Sequence, residues 1–143
     1  MMKKIYQQDN LMKKLFLLIA VMMGIACTAR PYTAAHETYD SRYLVENKSK
    51  THVRIHRVNQ ISGSGLPDDC PLVLKVDGID VVGLQQNQFV DLYLPNGEHS
   101  LSVKFKCALT EWKKSVTLVA DGATQEYETE IGVAGQYRMW RTK

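Results

Sequence analysis

The sequence lacks a run of 18 or more consecutive apolar residues, the length that is typical of a membrane-spanning helix. It has little proline and glycine, with 4 and 9 residues, which is an ordinary composition for a globular domain. At 143 residues, 45% of them apolar, it is too short for a TIM barrel or a two-domain enzyme and too hydrophobic for wholesale disorder.

Excess charge is absent as well, once the first 26 residues are set aside. The chain has 18 Lys and Arg residues and 15 Asp and Glu residues, of which four lysines and one aspartate lie in that segment. The remainder therefore holds 14 residues of each sign and has no net charge. Binding to phosphates needs several uncompensated Lys or Arg side chains, so we expect no nucleic-acid partner.

What is present near the N-terminus is an export signal. Met12 and two lysines precede the 12-residue apolar run Leu15–Ala26, a layout typical of a secretory signal peptide. A membrane-spanning helix is the alternative, but 12 residues would cover only about 18 Å of a ~30 Å hydrocarbon core. We predict a signal peptide over residues 1–26, with either Met1 or Met12 as the start.

The end of this segment resembles the lipobox of bacterial lipoproteins, in which an apolar residue and two small or aliphatic residues precede a Cys. Gly24–Cys27 has this form, although Gly stands where the family usually has Leu. The resemblance implies cleavage before Cys27 and a lipid on its thiol. With Thr28 next, rather than Asp, it also implies sorting to the outer membrane, facing the periplasm. The alternative is cleavage after Ala26 or Ala29, which would leave a soluble periplasmic protein.

The three cysteines, Cys27, Cys70 and Cys107, are an odd number for an exported chain. Lipidation of Cys27 would leave the other two to pair in an oxidising compartment. Their disulfide would close a loop of about 37 residues, worth roughly 3–4 kcal/mol in the chain-entropy treatment. The alternative is that Cys107 is a small buried residue of a strand. Neither has a Cys or His neighbour at metal-ligand spacing, so we expect no metal and no other cofactor.

Beyond the signal, the pattern divides into two parts. Residues 27–50 are polar and poorly patterned, which predicts a tether, with a short helix over Ala34–Val45 as an alternative. From Thr51 onward, short alternating runs are separated by Gly or Pro turns, which predicts an all-β domain over 51–143. We expect an antiparallel β-sandwich of about seven or eight strands. The runs are His52–Val58, Leu72–Val76, Ile79–Leu84, Gln88–Leu94, Glu98–Ala108, Ser115–Ala120, Gln125–Val133 and Tyr137–Arg141.

Two of these features are specific enough to test. Asp77-Gly78 between two apolar runs is a strong signal for a tight hairpin turn. The run from 98 to 108 alternates cleanly, which assigns its residues to two faces. We expect Leu101, Val103, Phe105 and Cys107 to point inward, and Ser102, Lys104 and Lys106 to point outward.

The segments Val76–Gly78, Val82–Leu84 and Leu92–Val103 are similar to PEGA-like domains and related small bacterial lipoprotein domains. In those, a strand ends in Asp-Gly, and Pro-Gly-x-His-x-Leu/Val-x-Val starts a long strand. Here Asn96 separates the Pro from the Gly. The resemblance covers residues 51–133 and implies a β-sandwich that serves as a surface or interaction module, with no catalytic residue.

The histidines do not form a recognisable catalytic or metal-binding pattern. His52 and His56 could share a metal on a helix, but on a strand they lie about 13 Å apart. We therefore expect both on the solvent face of a strand and His99 at the edge of a turn. Asp68 and Asp69 are adjacent, which is more typical of a solvated turn than of a hydrolytic carboxylate pair.

Two further groups have both a functional and a structural interpretation. Glu126, Glu128 and Glu130 could bind a cation, but pairing with lysines such as Lys104 and Lys106 is the commoner arrangement. The aromatic residues near the strand ends could stack on a sugar, although covering the core or a sheet edge is commoner. These aromatic residues are Trp112, Tyr137 and Trp140.

These observations favour a non-catalytic, lipid-anchored protein of the bacterial envelope that acts as an interaction module. Its partners would be the membrane, through the lipid, and an envelope protein, reached through a sheet edge or the Asn59–Pro71 loop; no small-molecule substrate is evident. The alternative is a soluble periplasmic binder or inhibitor of an envelope enzyme or glycan. An enzyme ranks last, because no nucleophile and base are visible in the pattern.

Overall fold

The computed structural model describes residues 31–59 and 69–143. They form ten strands and no helix, which confirms the all-β prediction and exceeds the expected seven or eight strands. The signal peptide predicted over 1–26, and Cys27 after it, lie outside the described residues. The strands are β1 (Thr33–Ala34), β2 (Glu37–Thr38), β3 (Thr51–Arg57), β4 (Leu72–Val76), β5 (Ile79–Leu84), β6 (Gln88–Leu94), β7 (Gly97–Phe105), β8 (Lys114–Ala120), β9 (Gln125–Ile131) and β10 (Tyr137–Arg141).

The strands form two five-stranded sheets around a shared core. The β3 sheet has the order β1-β6-β3-β9-β10, and the β7 sheet has the order β2-β5-β4-β7-β8. Most neighbours are antiparallel, but β1–β6 and β3–β9 are parallel, so the expectation of a purely antiparallel sandwich is wrong for these pairs. The second arises because residues 121–124 carry the chain from one sheet to the other, where β9 runs alongside β3. No helix in the described part of the chain is long and apolar enough to cross a membrane.

The core lies between the sheets, and the alternation seen in the sequence places its residues. Strands β3, β6 and β9 each alternate strictly between buried and half-buried residues, as one core-facing side requires. Each fully buried Val, Leu or Ile side chain contributes about 1.5–3 kcal/mol to the free energy of folding. Those with no exposed area include Val53, Ile55, Leu72, Leu74, Val76, Leu92, Leu94, Leu101 and Val103.

Leu101, Val103 and Phe105 on β7 are buried, which confirms that they point inward. The strand ends earlier than expected, at Phe105 rather than Ala108. The prediction that Cys107 points inward from this strand is therefore wrong, because Cys107 lies in the following turn and is exposed. The pairing of β7 with β8 ends at Val103, because β8 begins at Lys114, opposite that residue.

The outward residues of β7 match the expectation in part. Lys106, just beyond the strand, is exposed and Lys104 is half-buried, but Ser102 is buried. A serine is short, and Ser102 lies in the middle of the sheet between Lys75 and Ser115. The neighbouring residues on both strands therefore shield the Ser102 side chain from water, although it points outward.

Residues 31–50 are not the tether or the helix that the sequence predicts, because they pair with both sheets. The short strands β1 and β2 add to β6 and β5, and the Ala35 N–H donates to the Phe89 carbonyl at 2.8 Å. Further along, the Tyr93 N–H donates to the Tyr43 carbonyl at 2.8 Å. The outer edges of β5 and β6 carry main-chain groups that need partners, and this segment supplies them. The described residues from Pro31 onward form one compact unit.

Candidate functional site

The outer face of the β3 sheet carries the first cluster of titratable residues. Arg54 on β3 makes a bidentate ion pair with Asp91 on β6, with both N–O distances 2.7 Å, and His52 Nε2 lies 2.6 Å from the same carboxylate. Burial raises the pKa of Asp91, but the hydrogen bonds from Arg54 and His52 outweigh it, and the pKa lies below its ordinary value. The cluster therefore joins β3 to β6 with an ionised carboxylate.

His52 and His56 both lie on this face, as expected, but they have different neighbours. His52 stacks on Tyr93, with ring centroids 5.3 Å apart. His56 packs on Tyr32 at 4.4 Å, and its Nε2 lies 3.8 Å from Glu126. Among residues 31–59 and 69–143, no group of three or more His, Cys, Asp and Glu side chains is placed to hold a metal ion.

The three glutamates of β9 do not pair with Lys104 and Lys106, and that prediction is wrong. Those lysines lie on the β7 sheet, where their partners are Glu111 and Glu37. Glu126 instead approaches His56 and Lys143, and Glu130 accepts a 2.8 Å bond from Arg138 on β10. In register, Glu128 lies opposite His56 and Trp140.

His99 joins two turns at one end of the sandwich, close to where the sequence places it. Its Nδ1 lies 2.7 Å from Asp77 in the β4–β5 turn, and its Nε2 lies 2.8 Å from the carbonyl of Pro95 in the β6–β7 turn. Asp77 and Gly78 have φ values of 50° and 82°, which is the left-handed geometry of the expected tight hairpin. Both ring nitrogens thus have structural partners.

The opposite end contains the disulfide Cys70–Cys107, which confirms the predicted pairing; the Cα atoms are 6.0 Å apart. Beside it lies Arg57, which is only 3% exposed. Its guanidinium donates to the carbonyl of Leu84 at 2.6 Å and lies 5.1 Å from the Phe105 ring. Desolvation lowers the pKa of Arg57 to about 10. Sequence alternation did not reveal this buried cation, because it occupies an ordinary inward position of β3.

The remaining feature is an open sheet edge, the side of β8 that faces away from β7, here called the β8 edge. Among the described residues, the sheets end in β1, β2, β8 and β10, and β8 is the longest of these with seven residues. An edge of this length can bind an extended segment through main-chain hydrogen bonds.

Two exposed apolar side chains lie on β8 or just before it. Trp112, just before the strand, is 73% exposed, and Val119 within it is 60% exposed. Tyr137 covers the core instead, packing against Phe105 and accepting a 3.1 Å hydrogen bond from its N–H. A cavity of about 440 Å³ lies next to the start of β8 and is lined by Lys114, Glu130, Tyr137, Arg138, Met139 and Trp140. Trp and Arg side chains in such a setting are frequent anchors of protein contacts.

Two other candidates from the sequence, Asp68 and most of the Asn59–Pro71 loop, lie outside the described residues. Asp69 is exposed, as a solvated turn residue would be. No protein-family model matches the chain, and no curated protein matches it.

Proposed function

We propose that this chain is a non-catalytic, lipid-anchored protein of the bacterial cell envelope that acts as an interaction module. The observation that carries the proposal is the Cys70–Cys107 disulfide. Structural disulfides form and persist in oxidising compartments, so the bond favours export. It also uses two of three cysteines, which leaves Cys27 as the residue for a lipid.

Two further observations support a role in contact rather than in chemistry. The rings of His52 and His99 are held by Asp91 and Asp77, where they tie together strands or turns. The β8 edge offers main-chain groups and exposed apolar side chains instead. The resemblance of residues 51–133 to PEGA-like domains supports the same assignment, and Thr28 after Cys27 favours the outer membrane.

Lipid attachment can be tested by cell fractionation of the full-length protein. We expect wild type in the membrane fraction, accumulation of the precursor under globomycin, and release of Cys27→Ser into the soluble periplasm. Thr28→Ser is the matched control and should stay with the membrane. A wild-type protein that is soluble and cut after Ala26 or Ala29 would overturn the anchor and favour the soluble periplasmic binder.

Contact through the β8 edge can be tested by chemical cross-linking in intact cells. A specific adduct, whether with a different envelope protein or with a second copy of this chain, should be lost in Thr117→Pro, which removes an N–H at the edge, and kept in Thr117→Val, which retains it. The non-catalytic assignment has a separate test. Turnover of an envelope substrate that disappears in His52→Ala, His56→Ala or Asp69→Ala, with the fold retained, would overturn it.

A further inference from the structure

The β8 edge has few of the features that usually protect an edge strand from pairing. Apart from Lys114 at its start, β8 contains no proline and no charged side chain, and the β7–β8 register runs without a bulge. By contrast, β1 and β2 are only two residues long. Strand β10 approaches β8, but among the described residues no main-chain pairing joins the two strands, so the β8 edge can serve as a template for a further strand.

The register shows which residues of β8 present their main chain at this edge. Ser100 lies opposite Thr117, yet its N–H donates to the Asp77 carboxylate and its carbonyl accepts from the Asp77 N–H, both at 2.9 Å. Ser100 thus points its main chain toward β4, and the pair with Thr117 has no hydrogen bonds. By the alternation of an antiparallel ladder, Ser115, Thr117 and Val119 direct their N–H and C=O groups away from β7. The Val119 carbonyl already accepts a 2.7 Å bond from the Gln125 side chain.

The sequence around β8 is complementary to itself when read in the opposite direction. Lys113 lies four residues before Thr117, and Asp121 lies four residues after it. Two antiparallel copies centred on Thr117 therefore place each Lys113 opposite the other copy's Asp121. Within the described residues Lys113 has no ion-pair partner, and the Asp121 carboxylate accepts a bond from the Ala123 N–H at 3.0 Å.

The same register matches the side chains on both faces of the sheet. Thr117 meets Thr117 and Ser115 meets Val119 on the outer face, where small and β-branched residues pack well across strands. On the core side, Val116 meets Leu118, so the half-buried Val116 gains an apolar neighbour. An arrangement with this twofold symmetry closes on itself and leaves no further edge of the same kind.

We infer that the protein forms a twofold dimer in which the β8 strands of two copies pair antiparallel about Thr117, joining their β7 sheets into one. The inference rests on the proposed function only in taking the β8 edge as a contact surface. It commits to a second copy of this chain, because the charge pairing and the register are self-complementary.

The direct test is a cross-link at the symmetry axis in the full-length exported protein. Directly opposed residues of a hydrogen-bonded pair have Cα atoms about 5.5 Å apart, which a disulfide can span. Thr117→Cys should therefore give a reducible dimer on mild oxidation, with a 117–117 bond found by peptide mass spectrometry. Val45→Cys, which is also exposed but lies outside the strands, is the control and should stay monomeric.

Solution measurements on the detergent-solubilised protein provide the second arm. Thr117→Pro removes the Thr117 N–H, which lies at the β8 edge and makes no hydrogen bond to β7. This variant should be monomeric in analytical ultracentrifugation, whereas Thr117→Val should remain a dimer. Lys113→Asp and Asp121→Lys should each raise the dimer dissociation constant by about two- to tenfold, and combining them should restore it. If Thr117→Pro fails to fold, the charge exchange and the cross-link still decide the matter.

Each result has a defined consequence. A monomer without a 117–117 bond overturns the inference, as does a dimer that neither Thr117→Pro nor the charge changes affect. Cross-linking of the Thr117→Cys variant to a different protein also overturns self-pairing, yet it leaves the proposed contact function in place. Loss of lipidation in the fractionation experiment would affect the proposed function alone.

Discussion

The two ends of the sandwich are held together by different chemistry. One end, here the disulfide end, has the Cys70–Cys107 bond and the buried Arg57, which reaches the carbonyl of Leu84. The other, the histidine end, has His99 between the turn at Asp77 and the turn at Pro95. A covalent bond and a buried charge secure the first, whereas hydrogen bonds between small turns secure the second.

The lengths of the connections that the disulfide and His99 each join match this difference. At the disulfide end, residues 58–71 join β3 to β4 and residues 106–113 join β7 to β8, and the disulfide links these two long connections. At the histidine end, residues 77–78 and 95–96 are two-residue turns that need no covalent constraint. Long connections lose more conformational entropy when their ends are brought together, so a cross-link stabilises the fold most there.

Removing the disulfide should have the largest effect. We expect Cys70→Ala combined with Cys107→Ser to lower the free energy of unfolding by about 3–4 kcal/mol, since the unfolded chain regains the freedom of a 37-residue loop. Urea unfolding of the two proteins measures this. Cys27→Ser is the matched control and should leave the midpoint unchanged. A midpoint that is the same with and without reductant in the wild type would contradict the prediction.

Replacing the buried cation should have the next largest effect. Arg57→Met keeps most of the volume but leaves the carbonyls of Leu84 and Cys70 without their donor, at a cost of about 1–3 kcal/mol. The lowered pKa of Arg57 shows that burial disfavours its charge, so relief of that charge offsets part of the cost. Arg138→Met, at an exposed surface pair, is the control. A variant more stable than wild type would mean that the buried charge outweighs its hydrogen bonds.

At the histidine end, His99→Leu should cost about 1–2 kcal/mol, because it removes bonds to Asp77 and to the Pro95 carbonyl. Burial raises the pKa of Asp77, but the bonds from His99 and from the Ser100 N–H hold it below its ordinary value.

The lowered pKa of Asp77 gives this prediction a pH dependence. A carboxyl whose pKa is lower in the folded state stabilises the protein at pH values above its unfolded pKa of about 3.9. This stabilisation is lost as the pH falls. The decline in stability from pH 6 to pH 2 should therefore be shallower in His99→Leu. Asp77→Asn is the matched variant, and its decline in stability should be shallower too. Equal slopes in all three proteins would contradict the assignment.

Surface charges at the disulfide end should matter least. Lys104 pairs at 3.1 Å with the highly exposed Glu111, so Lys104→Ser should change the free energy of unfolding by less than about 0.5 kcal/mol. Lys106→Ser, which removes the exposed pair with Glu37, should leave the urea midpoint unchanged. Larger losses would show that ion pairs, rather than the disulfide and Arg57, hold this end together.

Much of this fold could be predicted from local pattern. The alternation in β3 assigns Val53 and Ile55 inward, and Asp77-Gly78 forms the expected turn. The pairing of Cys70 with Cys107 followed from an odd count of cysteines. The strands within residues 33–38 were missed because two residues are too few to show a period of two.

The sequence by itself determined which face of strands such as β3 and β7 meets the core, because the alternation of a strand is local and has one solution when one face is buried. Only the tertiary structure decided which strands are neighbours. It therefore decided that Glu126 meets His56 rather than Lys104, that Arg57 is buried beside the disulfide, and that β8 pairs on one side only, with β7. These outcomes depend on contacts between residues far apart in the chain, and no local pattern encodes them.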